Sequence, residues 1–249
     1  MIYLDEVHAV AVADKADIMS VGTAGFIASM ERDPDHSGSS ADTVLEVATP
    51  DDLAELNGVE LLGRWSDVGT ASGVCVFRAD KYSDVVSWLY NWIPMATCSV
   101  KPVVDDNVAR RIISGKEPEY LVDYSHVGDE PVEDEVLFYI QYQFKSDKKV
   151  EGNKLFASLT KEQDEGDSGN CRPLGRWHDL GNGSGLAIAV ARSEEDIYKW
   201  AFNWAEMCDC KIVPVLTDAQ ARSVIKNKDG FEQQLEAVKA QMSGSQVSS

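Results

Sequence analysis

All six tryptophans of this 249-residue chain fall into three pairs with one constant spacing. Trp65 pairs with Trp177, Trp88 with Trp200 and Trp92 with Trp204, and the numbering difference is 112 each time. Around them Leu62–Ile113 aligns with Leu174–Ile225 without a gap, and about 21 of roughly 52 aligned positions are identical. Connecting loops normally absorb insertions, and these did not. The chain therefore reads as two copies of one domain, and a fused pair of like domains carries internal pseudo-two-fold symmetry.

Each copy reads as β-α-β-β-α-β. In the second, Val136–Phe144 is aromatic and β-branched and predicts a strand. Glu151–Glu165 predicts one helix, Arg172–His178 a short strand and Gly181–Gly185 a hairpin turn. Leu186–Ala191 is a continuous apolar strand. Ser193, followed by three acids, is a helix N-cap, and Ile197, Trp200, Ala201 and Trp204 form an apolar stripe. Cys210–Leu216 is the last strand, where Pro214 implies an edge or a bulge, and Asp218–Lys226 is a closing helix. The first copy repeats the order with strands at Ala24–Met30, Leu61–Asp67, Val74–Arg78 and Ser99–Val104, and helices at Ala41–Leu56 and Ser83–Ala96. The expected class is α+β: two tandem ferredoxin-like repeats, like a dimeric α/β barrel with both halves in one chain. The expected division is an N-terminal arm over 1–22, repeats over 23–114 and 135–228, an extended acidic linker over 115–134 and an amphipathic tail over 229–249.

The net charge of −19 repels phosphate backbones and anionic lipid, so nucleic acid and membrane surfaces are poor partners. No apolar run approaches the ~20 residues of a spanning helix. The N-terminus lacks the basic start and apolar core of an export signal. Five scattered cysteines do not form a disulfide framework and imply a reducing compartment. Cys98 and Cys210 occupy equivalent positions and read as small buried hydrophobes. Cys208-x-Cys210 lacks a second ligand pair at zinc spacing, so no metal is expected.

The most specific string is Leu-Gly-Arg-Trp-x-Asp, which places Arg64, Trp65 and Asp67 beside their equivalents Arg176, Trp177 and Asp179. A Gly-rich turn follows; it joins two strands rather than a strand to a helix, so it is not a phosphate loop. Then come Trp-x-x-Asn-Trp (Trp88, Asn91, Trp92; Trp200, Asn203, Trp204) and Pro-Val. Trp at i and i+4 shares a helix face, which suits packing, with an aromatic ligand pocket as the alternative. Arg64 and Arg176 suit bracing of their hairpins against Asp67 and Asp179, with binding of a substrate carboxylate as the alternative. Of the four histidines none recurs in both copies, because Ser66 stands where His178 stands. A site built on His178 would exist in one half only, and neither a catalytic set nor a cofactor motif rises above background.

The string Gly-Arg-Trp-His-Asp, with Gly-x-Gly, Trp-Ala-x-x-Trp and Pro-Val, resembles a small bacterial domain of unknown function of ferredoxin-like type. The tandem form, with its acidic linker and tail, resembles the pyrenoid shell proteins of diatoms and related marine algae. That resemblance implies a non-enzymatic protein in the chloroplast stroma, at the pyrenoid periphery. It would assemble with itself into a sheet around a Rubisco matrix and contact that matrix or its linker proteins. A bacterial cytoplasmic protein is the alternative location. The stripe Phe231, Leu235, Val238 and Met242 would then be an assembly tail reaching a neighbouring chain. Two other functions fit the residues. One is a small-molecule-binding protein or cofactor-free enzyme of the dimeric α/β barrel type, with a pocket between sheet and helices lined by Trp88, Trp92, Trp200, Trp204 and the two motif arginines. The other is a soluble adaptor.

Overall fold

The computed structural model describes residues 10–11, 24–32, 58–90 and 96–226. The arm, the Ala41–Leu56 helix, Asn91, Trp92 and the tail stripe from Phe231 to Met242 lie outside these residues. The strands are β1 (Val10–Ala11), β2 (Ala24–Arg32), β3 (Val59–Asp67), β4 (Ser72–Ala79), β5 (Ala96–Asp105), β6 (Val136–Phe144), β7 (Arg172–Asp179), β8 (Ser184–Ala191) and β9 (Cys208–Thr217). The helices are α1 (Tyr82–Tyr90), α2 (Asp106–Ser114), α3 (Lys149–Ser158), α4 (Lys161–Ser168), α5 (Glu194–Asn203) and α6 (Asp218–Lys226).

The class is mixed α+β, and the sheet curls until its ends meet. Its order is β4-β2-β5-β7-β8-β6-β9-β3, and β3 pairs in turn with β4, which joins the eight antiparallel strands in a ring; the two-residue β1 runs parallel beside β4. The offset of 112 holds in the registers as well. Trp65 faces Val74 as Trp177 faces Leu186, and Gly25 faces Val103 as Leu137 faces Val215. The two seams between the repeats are short and equivalent. Trp65 and Ser66 face Thr217 and Leu216, as Trp177 and His178 face Asp105 and Val104. Pro214 pairs with Phe138 on one side only, since β9 meets β3 at Leu216 and Thr217, so it sits on a locally open edge as the sequence implies.

Alternation along the strands separates two apolar layers. One cluster runs through both repeats and includes Trp65, Val76, Leu137, Leu174, Trp177, Leu186, Ile188 and Val190. At its centre the Trp65 and Trp177 rings lie 6.3 Å apart. The other cluster lies between the second repeat's sheet and α5, and includes Phe138, Ile140, Ala187, Ala189, Ile197 and Trp200.

Two helical expectations need correction. The stretch expected as one helix over Glu151–Glu165 is two, because Thr160 forms a capping box with Gln163 and restarts the chain as α4. The second helix of the first repeat does not reach Ala96, which opens β5. The linker over 115–134 forms no helix or strand and docks on the repeats. Val122 exchanges hydrogen bonds with Asn107 (2.8 and 3.1 Å), Val127 is buried, and Tyr124 joins α2 to β7.

Candidate functional site

Gly175 and Trp177 are two apart on β7, so they share a face. The outer edge of the Trp177 ring lies against Gly175, where an added Cβ would stand 2.3 Å from it; Gly63 and Trp65 repeat this at 2.4 Å. The Gly-x-Trp part of the motif is therefore a lock and its seat. Arg176 and His178, the alternate residues of β7, point to the opposite face, towards the helices.

The expected braces from Arg64 to Asp67 and from Arg176 to Asp179 are not made. Residues three apart on a strand face opposite ways. Asp67 instead accepts from the Gly69 and Thr70 amides of its turn, and Asp179 from Asn182. Each arginine reaches the other repeat: Arg64 pairs with Asp218, Nε to Oδ1 at 2.6 Å, and Arg176 pairs with Asp106, Nε to Oδ2 at 2.7 Å. Asp106 and Asp218 are equivalents at the first turns of α2 and α6. The two junctions are thus clasped by the same ion pair in reciprocal sense.

Around Arg176 the clasp widens into a buried network. Arg176 Nη1 donates to Asp164 Oδ1 at 2.8 Å, and Arg110 Nη2 to Asp164 Oδ2 at 3.3 Å. Arg110 Nη1 also caps the carbonyls of Phe156 and Leu159 where α3 ends, at 3.0 and 3.1 Å. The break between α3 and α4 frees those carbonyls and aims Asp164 at the arginines. His178 donates from Nε2 to Asp106 Oδ1 at 2.5 Å, because a carboxylate can only accept. Its Nδ1 lies 2.5 Å from the Tyr142 hydroxyl, and its ring lies 4.5 Å from that of Phe156. Gly185 makes the room: an added Cβ there would stand 2.4 Å from the Tyr142 hydroxyl.

Two arginines and two aspartates balance, as a buried cluster must. Burial pushes the Asp106 carboxyl up, but the charges of Arg176 and Arg110 and the hydrogen bond from His178 outweigh it and hold the group down at about 2. Asp164 is lowered against its own burial by Arg176 and Tyr120. Burial beside Asp106 raises Tyr142 well above the usual phenol value, so it keeps its proton. A carboxylate depressed on folding stabilises the native state above its unfolded pKa of about 4 and loses that contribution as pH falls towards about 2. Asp106 alone should contribute about 2 kcal/mol through this window. Urea titrations at a series of acidic pH values should show stability falling, and Asp106→Asn should flatten that fall; an equally steep fall in the variant would place its origin elsewhere.

Trp200, Asn203 and Trp204 converge on one acceptor. Trp200 Nε1 and Trp204 Nε1 donate to Asp167 Oδ2 at 2.9 and 2.7 Å, and Asn203 Nδ2 to Asp167 Oδ1 at 3.1 Å. The Trp-x-x-Asn-Trp motif of the second repeat thus ties α5 to α4 and roofs a cavity. The cavity, about 80 Å³, is lined by Ile140, Tyr142, Phe144, Asn153, Phe156, Arg176, His178, Ala187, Trp200, Trp204, Cys208 and Cys210. A water needs ~10–15 Å³ on this measure, so a compact molecule fits. Of the pocket residues expected from sequence, Trp200, Trp204 and Arg176 are here. Trp88 instead packs on Phe77 with centroids 4.5 Å apart, Arg64 lies at the other seam, and Trp92 is outside the described residues. Tyr142, Asp106, Asp164, Asp167 and the linker's Tyr124 were not foreseen.

The repeats differ where the chemistry is. At the offset of 112, Ser66 stands for His178, Met30 for Tyr142, Ala96 for Cys208 and Cys75 for Ala187. The reactive side chains of this wall belong to the second repeat. The small Ala187 leaves space where a larger residue would fill it.

No curated protein matches the chain. Among solved structures it is similar to a protein of Lactobacillus acidophilus NCFM assigned as a monooxygenase, at 8% identity and TM-score 0.45, covering 78% of this chain and 93% of that one. It is also similar to a chlorite dismutase variant from Candidatus Nitrospira defluvii, at 13% identity and TM-score 0.43, covering 81% and 94%. A third is an anthrone oxidase-like protein, at 8% identity and TM-score 0.40, covering 78% and 91%. These findings correct the expectation of a structural protein forming a pyrenoid shell. These three bear the names of enzymes or of enzyme-like proteins, and the chain itself has a largely apolar cavity that Arg176 and His178 of the buried network help to line. No helix among the described residues is long and apolar enough to cross a membrane. The family model described as a domain of unknown function, DUF3303, matches residues 26–117 and 136–229, and the chain belongs to that family as two tandem copies.

Proposed function

We propose that this chain binds a small, largely apolar molecule in the cavity of its second repeat and moves a proton on it, as a cofactor-free enzyme of the dimeric α/β barrel type. In this reading the two ferredoxin-like repeats, related by a pseudo-two-fold, stand in for the two subunits of such a dimer. The observation that carries it is His178. Its imidazole is buried at the cavity wall, with one nitrogen on Asp106 and the other on Tyr142. A core histidine needs no such orientation, whereas a general base does.

The relay follows from donors and acceptors. Asp106 holds the proton of His178 on Nε2, so Nδ1 accepts from Tyr142. A ligand O–H or activated C–H set against the Tyr142 oxygen can pass its proton there while the Tyr142 proton moves to Nδ1. The imidazolium that results is stabilised by Asp106. Trp200, Trp204, Phe144 and Phe156 suit a flat apolar body. Arg176 is already held by two carboxylates, so the ligand is neutral when it enters. Association of whole chains is compatible with this reading, since Tyr90 and its equivalent Phe202 are 70% and 78% exposed.

A series of small phenols and enolisable ketones tests it. Binding should quench tryptophan fluorescence, and solvent deuterium should exchange into an enolisable ligand. His178→Ala should slow that exchange by about 10²–10⁴-fold, the usual worth of a general base. Exchange at the wild-type rate in the variant, or quenching that survives in Trp204→Phe with Trp200→Phe, would remove the site from this cavity.

A further inference from the structure

Cys208 and Cys210 are two apart on β9, so their side chains share a face. Their sulfurs stand 3.7 Å apart, and both line the cavity. Cys210 was expected to be an inert buried hydrophobe, yet it is only half-buried. The first repeat carries Ala96 and Cys98 at these positions, so the Cys-x-Cys spacing is absent from it. The second repeat thus carries a second thiol at the wall where it also carries His178 and Tyr142. The other cysteines differ in kind. Burial pushes the Cys75 thiol up to about 12 and the Cys171 thiol up to about 11. The hydrogen bond from Cys208 instead lowers Cys210, and the same bond, with burial, raises Cys208. One member of the pair is therefore the better nucleophile, and its neighbour holds the proton.

We propose that Cys208 and Cys210 form a redox-active vicinal dithiol in the cavity wall, converted reversibly to a disulfide by small-molecule disulfides. The Cys210 thiolate attacks one sulfur of the oxidant and releases its first half as a thiolate. Cys208 loses its proton, attacks the Cys210 sulfur of the mixed disulfide and releases the second half. The protein pair gives up two electrons, and the oxidant becomes two thiols. Residues two apart on a strand have Cα atoms separated by about 6.8 Å, near the upper limit for a disulfide, so the bond is strained and readily reduced. Oxidation reshapes the wall against which a ligand rests, so the redox state of the pair sets access to the cavity. The chemistry of the pair stands without the proton relay.

The test treats the whole chain with oxidised glutathione and counts free thiols before and after. The expected loss is two of five thiols, reversed by dithiothreitol. One peptide holding both cysteines should resist alkylation and lack two hydrogens. Cys210→Ser should abolish the paired loss, and Cys98→Ser should leave it intact. On unmodified protein, phenylarsine oxide, whose arsenic bridges paired thiols, should protect the same two cysteines from alkylation, and prior oxidation should abolish that protection. Unchanged thiols under glutathione, a stable glutathione adduct on one cysteine, or paired loss that persists in Cys210→Ser would each overturn the proposal, as would alkylation of both cysteines in the presence of the arsenical.

Discussion

Arg176→Ala should be among the most damaging single changes in this chain, at about 3–5 kcal/mol, the cost of breaking a buried ion cluster from one side. The reason is what it leaves behind. Asp106 is wholly buried and Asp164 nearly so, and Arg176 is the group that faces both. Without it Asp106 keeps only His178, and Asp164 keeps Arg110 and Tyr120. Two carboxylates would then share a low-dielectric space with too little positive charge. Such a loss is a large share of a typical stability of about 5–15 kcal/mol. Arg176→Lys should recover part of it, since an ammonium restores the charge but not the fork that holds two carboxylates. The exposed pair of Lys199 and Glu195 is the control, and Lys199→Ala should leave the urea midpoint almost unchanged, because solvent screens such a pair. Urea midpoints at neutral pH measure all three. A loss for Arg176→Ala no larger than the control would show that the network does not hold the repeats together.

What was legible in the sequence was what repeats. The tryptophans fixed the alignment, the alignment fixed the order of strands along the chain, and the registers keep the same offset through both seams. The N-cap at Ser193 and the closing helix at Asp218–Lys226 were readable because their signals are local. The break after Ser158 was missed because Thr160 lies inside an otherwise helical composition, although Thr160 and Gln163 do spell a capping box. The partners of the site were missed for a different reason. Asp106 and Arg176 are 70 positions apart, and Arg110 and Asp164 are 54 apart. No periodicity reports a pairing between repeats.

Under the proposed function, the more instructive omission concerns His178. Its absence from the first repeat counted against a site, because symmetry was taken as the mark of importance. Duplication argues the reverse. If both copies fold, the proposed function needs only one working cavity, and the other copy is free to become scaffold. The scaffold half still contributes, since Asp106, which holds the His178 tautomer, comes from α2 of the first repeat. The signal was available as the set of positions where the copies differ in reactivity: His178 against Ser66, Tyr142 against Met30, Cys208 against Ala96.

Gly175→Ala should destabilise the chain by about 1–3 kcal/mol or more, the usual cost of forcing an extra methyl into a packed core. The added Cβ would stand 2.3 Å from the Trp177 ring, a separation that real contacts do not tolerate, and the ring has no room to retreat. On its other side it meets Trp65 at 6.3 Å and Tyr124 at 5.9 Å between centroids, in the cluster that joins the repeats. Trp177→Ala alone should cost about 3–5 kcal/mol, because a wholly buried indole leaves a cavity. The double variant separates sterics from backbone effects. If the clash is the cause, Gly175→Ala should add almost nothing in the Trp177→Ala background, and the loss in the double variant should fall well short of the sum of the two single losses. If instead Gly175 is needed for the backbone irregularity between Pro173 and Gly175, the losses should add. Gly63→Ala should behave in the same way against Trp65, since its Cβ would meet that ring at 2.4 Å. Additive losses at both glycines would mean that Gly-x-Trp serves the bulge and not the seating of the ring. Non-additive loss at one and additive loss at the other would show that the repeats have diverged in their core as well as in their cavity.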